Sequence, residues 1–141
     1  MDDWIPYGLL HRYPHMGTDD AEVWERFVRA NPTAFDVVAY DVAVGASAPF
    51  DTVVNPSTGG SVARIYQRRI DLIGRKGGKH TLVEVKKYAS TGALGQIEGY
   101  ALLLKRDHPE MLPLSLVVLA ASFAPEMAYL AKEKGITLLT V

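Results

Sequence analysis

RRIDLIGRKGGKHTLVEVKK, residues 68–87, decides how this chain folds. Two alternating runs flank Gly77-Gly78, a dipeptide that favours tight hairpin turns. The pattern predicts one strand over Arg64–Ile73, a turn over Gly74–Lys79 and a second strand over His80–Lys86. Residues two apart on a strand share a face. Glu84 and Lys86 are therefore expected to project together, with Val83 and Val85 turned the other way. The hairpin should bring Asp71 across from that pair, so that two carboxylates and an ammonium converge.

Working outward from the hairpin, Val37–Gly45 reads as a strand and residues 46–63, with Pro49, Pro56, Gly59 and Gly60, as a long loop or hairpin tip. Asp19–Ala30 reads as a helix with an apolar stripe of Val23, Trp24, Phe27 and Val28; Asp19 and Glu22 fit a capping box, and Asn31-Pro32 stops it. On the other side, Ser90–Arg106 carries Leu94, Ile97, Tyr100, Ala101 and Leu104 at helical spacing. Leu114–Ala121 is a continuous apolar run, expected to be a strand buried on both faces. A short helix over Pro125–Lys134 and a strand over Ile136–Val141 complete the chain. The order is α-β-β-β-α-β-α-β. It predicts a single α/β domain over 19–141, with a central mixed sheet flanked by helices: an antiparallel meander joined to a crossover unit. Residues 1–18 read as an irregular aromatic arm that packs on the domain or on a neighbour.

Composition narrows the function classes. A length of 141 residues suits one core. With 48% hydrophobic and 22% charged residues, the chain resembles neither disordered nor fibrous sequences. It has no cysteine, which removes disulfides and thiolate metal sites. His11 and His15 are the only close histidine pair, and Pro14 between them argues against a helix presenting both to a metal. No run reaches the roughly 18–20 apolar residues of a membrane span, and the acidic start Met-Asp-Asp lacks a basic leader. The expectation is a protein that is neither secreted nor membrane-bound. Net charge is −1, unlike a protein that coats nucleic acid. Residues 64–87, however, hold eight basic side chains against Asp71 and Glu84. Arg64, Arg68, Arg69, Lys76, Lys79 and Lys87 are the candidate phosphate-backbone contacts in this stretch. A solvated hairpin with outward charges fits the same residues.

The Asp71, Glu84 and Lys86 grouping suits metal-assisted phosphodiester hydrolysis. Mg²⁺ (or Mn²⁺) prefers oxygen ligands and keeps several waters, and Asp71, Glu84 and the Val85 carbonyl supply protein oxygens. Lys86 is the candidate to orient the attacking water or neutralise developing charge. Plain charge pairing across a hairpin, worth about 0.2–1 kcal/mol, is the alternative for the same residues.

Ile70-Asp71 followed by Glu84-Val85-Lys86 resembles the D…ExK signature of the PD-(D/E)XK nuclease superfamily, whose core order α-β-β-β-α-β matches residues 19–121. No proline precedes the aspartate. The resemblance implies a restriction-endonuclease-like fold, DNA as partner and a metal-dependent endonuclease or exonuclease. It also implies two further site residues: a glutamine on the following helix, matched by Gln96, and an acid on the first helix, matched by Glu25 or Glu22. The stretches WIPYGLLHRYPHMG, YDVAVG, QRRIDLIG and EVKK to GQIEGY also resemble small tailed-bacteriophage proteins. That resemblance implies a host-cytoplasm or virion setting and a part in DNA processing or head completion. The rival reading is a non-enzymatic, homo-oligomeric head–tail connector or neck subunit on a nuclease-like scaffold, with other phage structural proteins as partners.

Overall fold

The computed structural model describes residues 1, 3–45 and 68–141. The expected loop over 46–63 and the start of the strand expected from Arg64 lie outside the described residues. The elements are β1 (Ile5–Pro6), α1 (Thr18–Ala30), β2 (Val37–Val44), β3 (Arg68–Lys76), β4 (Lys79–Ala89), α2 (Thr91–Asp107), β5 (Leu114–Phe123), α3 (Met127–Glu133) and β6 (Thr137–Thr140). A short 3₁₀ turn at Pro109–Met111, not foreseen from the sequence, joins α2 to β5.

The six strands form one sheet in the order β1-β2-β3-β4-β5-β6. Pairing is antiparallel from β1 to β4 and parallel from β4 through β5 to β6. This is the expected meander joined to a crossover unit. The β3–β4 turn closes between Lys76 and Lys79 through Gly77 and Gly78, both at positive φ (55° and 78°). A two-residue hairpin turn that matches strand twist needs positive φ at both central positions, and glycine supplies it without steric cost.

Each face of the sheet carries its own core. On one side Val23, Trp24 and Val28 of α1 pack on Val38, Tyr40, Leu72, Val83, Val85 and Leu119. The Trp24 indole donates to the Tyr40 hydroxyl at 2.8 Å inside this layer. On the other side Leu94, Ile97 and Leu104 of α2, with Met127 and Ala131 of α3, cover Val42, Val44, Ile70, Ile73, Leu82 and Val118. The apolar stripes that predicted the helices are the surfaces they bury.

Two expectations change. The N-cap of α1 is Gly17, not Asp19, and no side chain caps the helix. Asp19 and Asp20 instead reach β4: Lys87 Nζ lies 3.8 Å from Asp19 Oδ2, and the Lys87 N–H donates to Asp20 Oδ1 at 3.0 Å. The capping-box carboxylate is thus spent on tying the helix start to the sheet. The arm is also less irregular than expected. Ile5 and Pro6 pair with Val38 and Val37, the Tyr7 hydroxyl donates to the Asn31 carbonyl at 2.6 Å, and Tyr13 is buried. From Tyr7 to Met16 the arm packs on the α1 side of its own domain, while Met1 and Trp4 lie against the α2-side core.

Gly74 marks a close approach within this framework. It is buried on β3, and a Cβ there would overlap the Phe35 ring at Cδ1 and Cε1. Gly74→Ala is expected to destabilise the fold by about 1–3 kcal/mol through overpacking. A lower urea midpoint at unchanged m-value is the readout.

Candidate metal centre at a fork in the sheet

The β3–β4 ladder runs from Lys76↔Lys79 to Leu72↔Val83 and stops there. The next pair in register would be Asp71 opposite Glu84, and no ladder bond joins them. The Val85 N–H, which a continuing ladder would have used, donates instead to Asp71 Oδ2 at 2.9 Å. A carboxylate thus takes the place of a backbone carbonyl, and the two strands part around it.

The β2 strand breaks at the same level. Tyr40↔Leu72 and Val42↔Ile70 are paired, whereas Asp41 and Asp71 between them are not. Asp41 is left-handed at φ 51°. Positions 40 and 42 would share a face in a regular strand, as would 70 and 72. Here Tyr40 and Leu72 enter the α1-side core, while Val42 and Ile70 enter the α2-side core. The β2–β3 ribbon therefore turns over at Asp41 and Asp71 and peels away from β4. Arg69 stands at the break, with its Nη1 donating to the Asp41 carbonyl at 3.2 Å and its Nε 3.7 Å from Asp41 Oδ1.

Beside this fork Glu84 is 3% exposed, the one buried charged side chain among the described residues. Lys86 Nζ lies 3.9 Å from Glu84 Oε1, so the two project together as the alternation of β4 predicts. Glu84 Oε2 is buried with no hydrogen-bond donor. Burial and the adjacent Asp71 carboxylate push Glu84 up to about 9. Burial also raises Asp71, opposed by its bonds to Glu84 and to the Val85 N–H and by the Lys86 charge. Two ionised carboxylates are acceptors only and cannot bond each other. A proton kept on Glu84 reconciles them when no cation is near.

Each sequence-derived candidate has a definite place. Asp71, Glu84 and Lys86 are brought together. In an extended strand the N–H and C=O of one residue point to the same edge, so the Val85 carbonyl is aimed at the fork with the N–H that Asp71 accepts. Gln96 is exposed on α2 where two hollows meet, one shared with Lys86 and the other with Arg68 and Tyr100. Glu25 is not brought to this group. It pairs with Arg29 at 3.0 Å, and on a helix it lies about 140° around from Asp20. Glu22 and Glu25 line a hollow under the arm instead. Asp20 is the acid of α1 whose charge reaches both Asp71 and Glu84. The stripe itself held the signal, since position 20 is one turn before Trp24 on the buried face. Tyr100, which the sequence presents only as part of the apolar stripe of α2, also borders this site. Burial, together with the Glu84 and Asp71 charges, raises its phenol.

The basic residues do not form one patch. Arg64 lies outside the described residues. Lys76 and Lys79 sit at the hairpin tip, about 17 Å along β4 from Glu84, and Lys76 donates to the Thr33 carbonyl. Of the described basic residues, Arg68, Arg69, Lys86 and Lys87 are near the fork; Arg69 is engaged by Asp41 and Lys87 faces Asp19.

Among the described residues no group of three His, Cys, Asp or Glu side chains is arranged to hold a metal by itself. The donor set nevertheless fits a hard cation that keeps water in part of its shell: two carboxylates, a carbonyl and a buried carboxylate oxygen lacking a donor.

No family model matches this chain, and no curated protein does. Solved structures do match its fold. A protein of unknown function, AF1548, aligns with a TM-score of 0.54 at 13% identity, covering 82% of this chain and 54% of that one. EndoMS in complex with double-stranded DNA aligns at 0.51 and 14%, covering 94% and 48%. A repair endonuclease from Pyrococcus abyssi aligns at 0.51 and 16%, covering 85% and 46%. This chain has a nuclease-like fold. It spans about half the length of each of these structures, and at such identities the likeness extends to the fold alone.

A folded-state value for Glu84 above that of the unfolded chain means the native state holds an extra proton. Stability is then fully present below the ordinary glutamate range and declines as pH rises toward about 9, by up to about 1.4 kcal/mol per pH unit. Glu84→Gln removes this titration. In EDTA, thermal melts of the wild type are expected to fall across that window, while those of Glu84→Gln stay flatter and higher at the alkaline end.

Proposed function

We propose that this chain is a metal-dependent DNA nuclease that hydrolyses phosphodiester bonds. The observation that carries the reading is the fork itself: Asp71 opposite Glu84, with Lys86 Nζ 3.9 Å from Glu84 where the ladder ends. A charge pair serving only stability has little reason to bury one carboxylate without a donor beside another carboxylate. Such an arrangement is costly in isolation and is relieved by a cation. The nuclease-like fold supports the same reading. So does DNA in the EndoMS complex, as an indication of the substrate class.

In this proposal Asp71, Glu84 and the Val85 carbonyl hold Mg²⁺ or Mn²⁺, which would supply Lewis-acid polarisation of the phosphate and acidify a water. The chain's own groups do the rest. Asp71 is fixed by the Val85 N–H, so its second oxygen is presented in one orientation. Lys86, a third exposed and anchored beside Glu84, directs its ammonium at charge developing on the phosphate or orients the attacking water. Gln96 borders the hollow that Lys86 lines and is the polar side chain that α2 contributes to it. Asp20 adds negative charge from α1. DNA processing at phage packaging or head completion, the setting implied by the sequence resemblance, belongs to the same proposal.

Purified protein with Mg²⁺ or Mn²⁺ is expected to cut at least one of linear, nicked, branched or single-stranded DNA, and EDTA is expected to stop it. Asp71→Ala and Lys86→Ala should each lower the rate by at least about 10²-fold, with near-UV circular dichroism unchanged. Folded protein that cuts none of these forms with either metal would overturn the reading.

A further inference from the structure

Immediately beyond Lys86, β4 carries Tyr88 on its way out of the sheet. This ring is 57% exposed, although Leu82–Val85 and Ala89 of the same strand are buried. Among the described residues it has no ring contact and no hydrogen bond. Tyr88 and Lys86 line the same hollow, of about 460 Å³, whose other wall is the start of α2 with Ser90, Gly92 and Gln96. At Gly92 even an added Cβ would meet nothing within 4 Å, so that wall is open. An exposed aromatic face thus stands about 7 Å along the strand from the proposed phosphate-facing lysine.

We propose that Tyr88 and this hollow form a stacking subsite for one unpaired DNA base next to the phosphate held at Asp71, Glu84 and Lys86. The inference rests on the nuclease reading above and narrows its substrate to single-stranded DNA or a frayed or flapped end. Stacking decides this. A base inside a duplex is covered on both faces by its neighbours, whereas an unpaired base offers a π-face that any aromatic ring accepts regardless of sequence. Charge points the same way. A duplex footprint needs several cations spread along the backbone. Among the described residues, the fork offers Lys86 and Arg68. Arg69 is engaged by Asp41, Lys87 faces Asp19, and Lys76 and Lys79 sit at the distant hairpin tip. A site with few phosphate contacts and one free aromatic face suits a short unpaired segment.

The test is binding in EDTA, where the proposed cleavage cannot occur, using a short single-stranded oligonucleotide carrying 2-aminopurine and a blunt duplex of the same sequence. The wild type is expected to prefer the single strand and to change the 2-aminopurine emission on binding. Tyr88→Ala should weaken single-strand binding by roughly tenfold and abolish the emission change. Tyr88→Phe should keep both, and duplex binding should be the same in all three proteins. Tyr88 is exposed, so folding of the variants is expected to be intact. Equal single-strand affinity in wild type and Tyr88→Ala, an equal loss on the duplex, or loss of affinity in Tyr88→Phe would overturn the subsite while leaving metal-dependent cutting to stand or fall by itself. Conversely, Tyr88-dependent binding by a protein that cuts nothing would support the subsite and sink the catalytic reading.

Discussion

The hydrogen bond from the Val85 N–H to the Asp71 carboxylate is the constraint on which the site depends. A buried backbone donor must find an acceptor, and here the acceptor is a side chain that departs with β3 rather than a carbonyl that would keep β3 alongside. This one substitution ends the β3–β4 ladder and fixes the rotamer of Asp71. It also leaves Glu84 facing a gap in the sheet. β4 itself stays in the sheet because β5 continues to pair with it in parallel beyond the fork, from Glu84↔Val118 as far as Ala89↔Phe123. The candidate site is therefore a defect on one side of a strand whose other side is paired from His80 to Lys86 and again at Tyr88 and Ala89.

The turn-over of the β2–β3 ribbon belongs to the same device. Asp41 in the left-handed region and the unpaired Asp71 let Val42 and Ile70 swing to the α2 side, while Tyr40 and Leu72 remain under α1. Both cores are thereby filled from one ribbon. The aspartates sit where the backbone is least able to satisfy itself, which short acidic side chains tolerate better than apolar ones.

Most of the architecture could be read from the residues because periodicity and turn chemistry agree. Gly77-Gly78 fixed the hairpin register, and that register sets Asp71 against Glu84. The stripes of α1 and α2 named the faces they bury. The details that failed involve competition for a side chain. Asp19 looked like half of a capping box, but it and Asp20 are taken by β4, and no local pattern announces a tertiary partner. Glu25 flanks the apolar stripe, whereas the angular position of Asp20 on the buried face is what brings an acid of α1 toward the fork. The basic residues of 68–87 were close in sequence, but an extended strand separates them by length. The burial of Glu84 to 3% exposure is likewise invisible to strand alternation, because it depends on what tertiary packing places over the strand.

The two-residue strand at the start of the chain has a consequence of its own. Ile5 and Pro6 cover part of the outer flank of β2, and the second of them has no amide hydrogen to offer. Incoming chains seeking to extend a sheet need a row of donors and acceptors, and a stub ending in an imino acid gives them too few. The aromatic arm thus acts as a stopper against edge-to-edge polymerisation at this border.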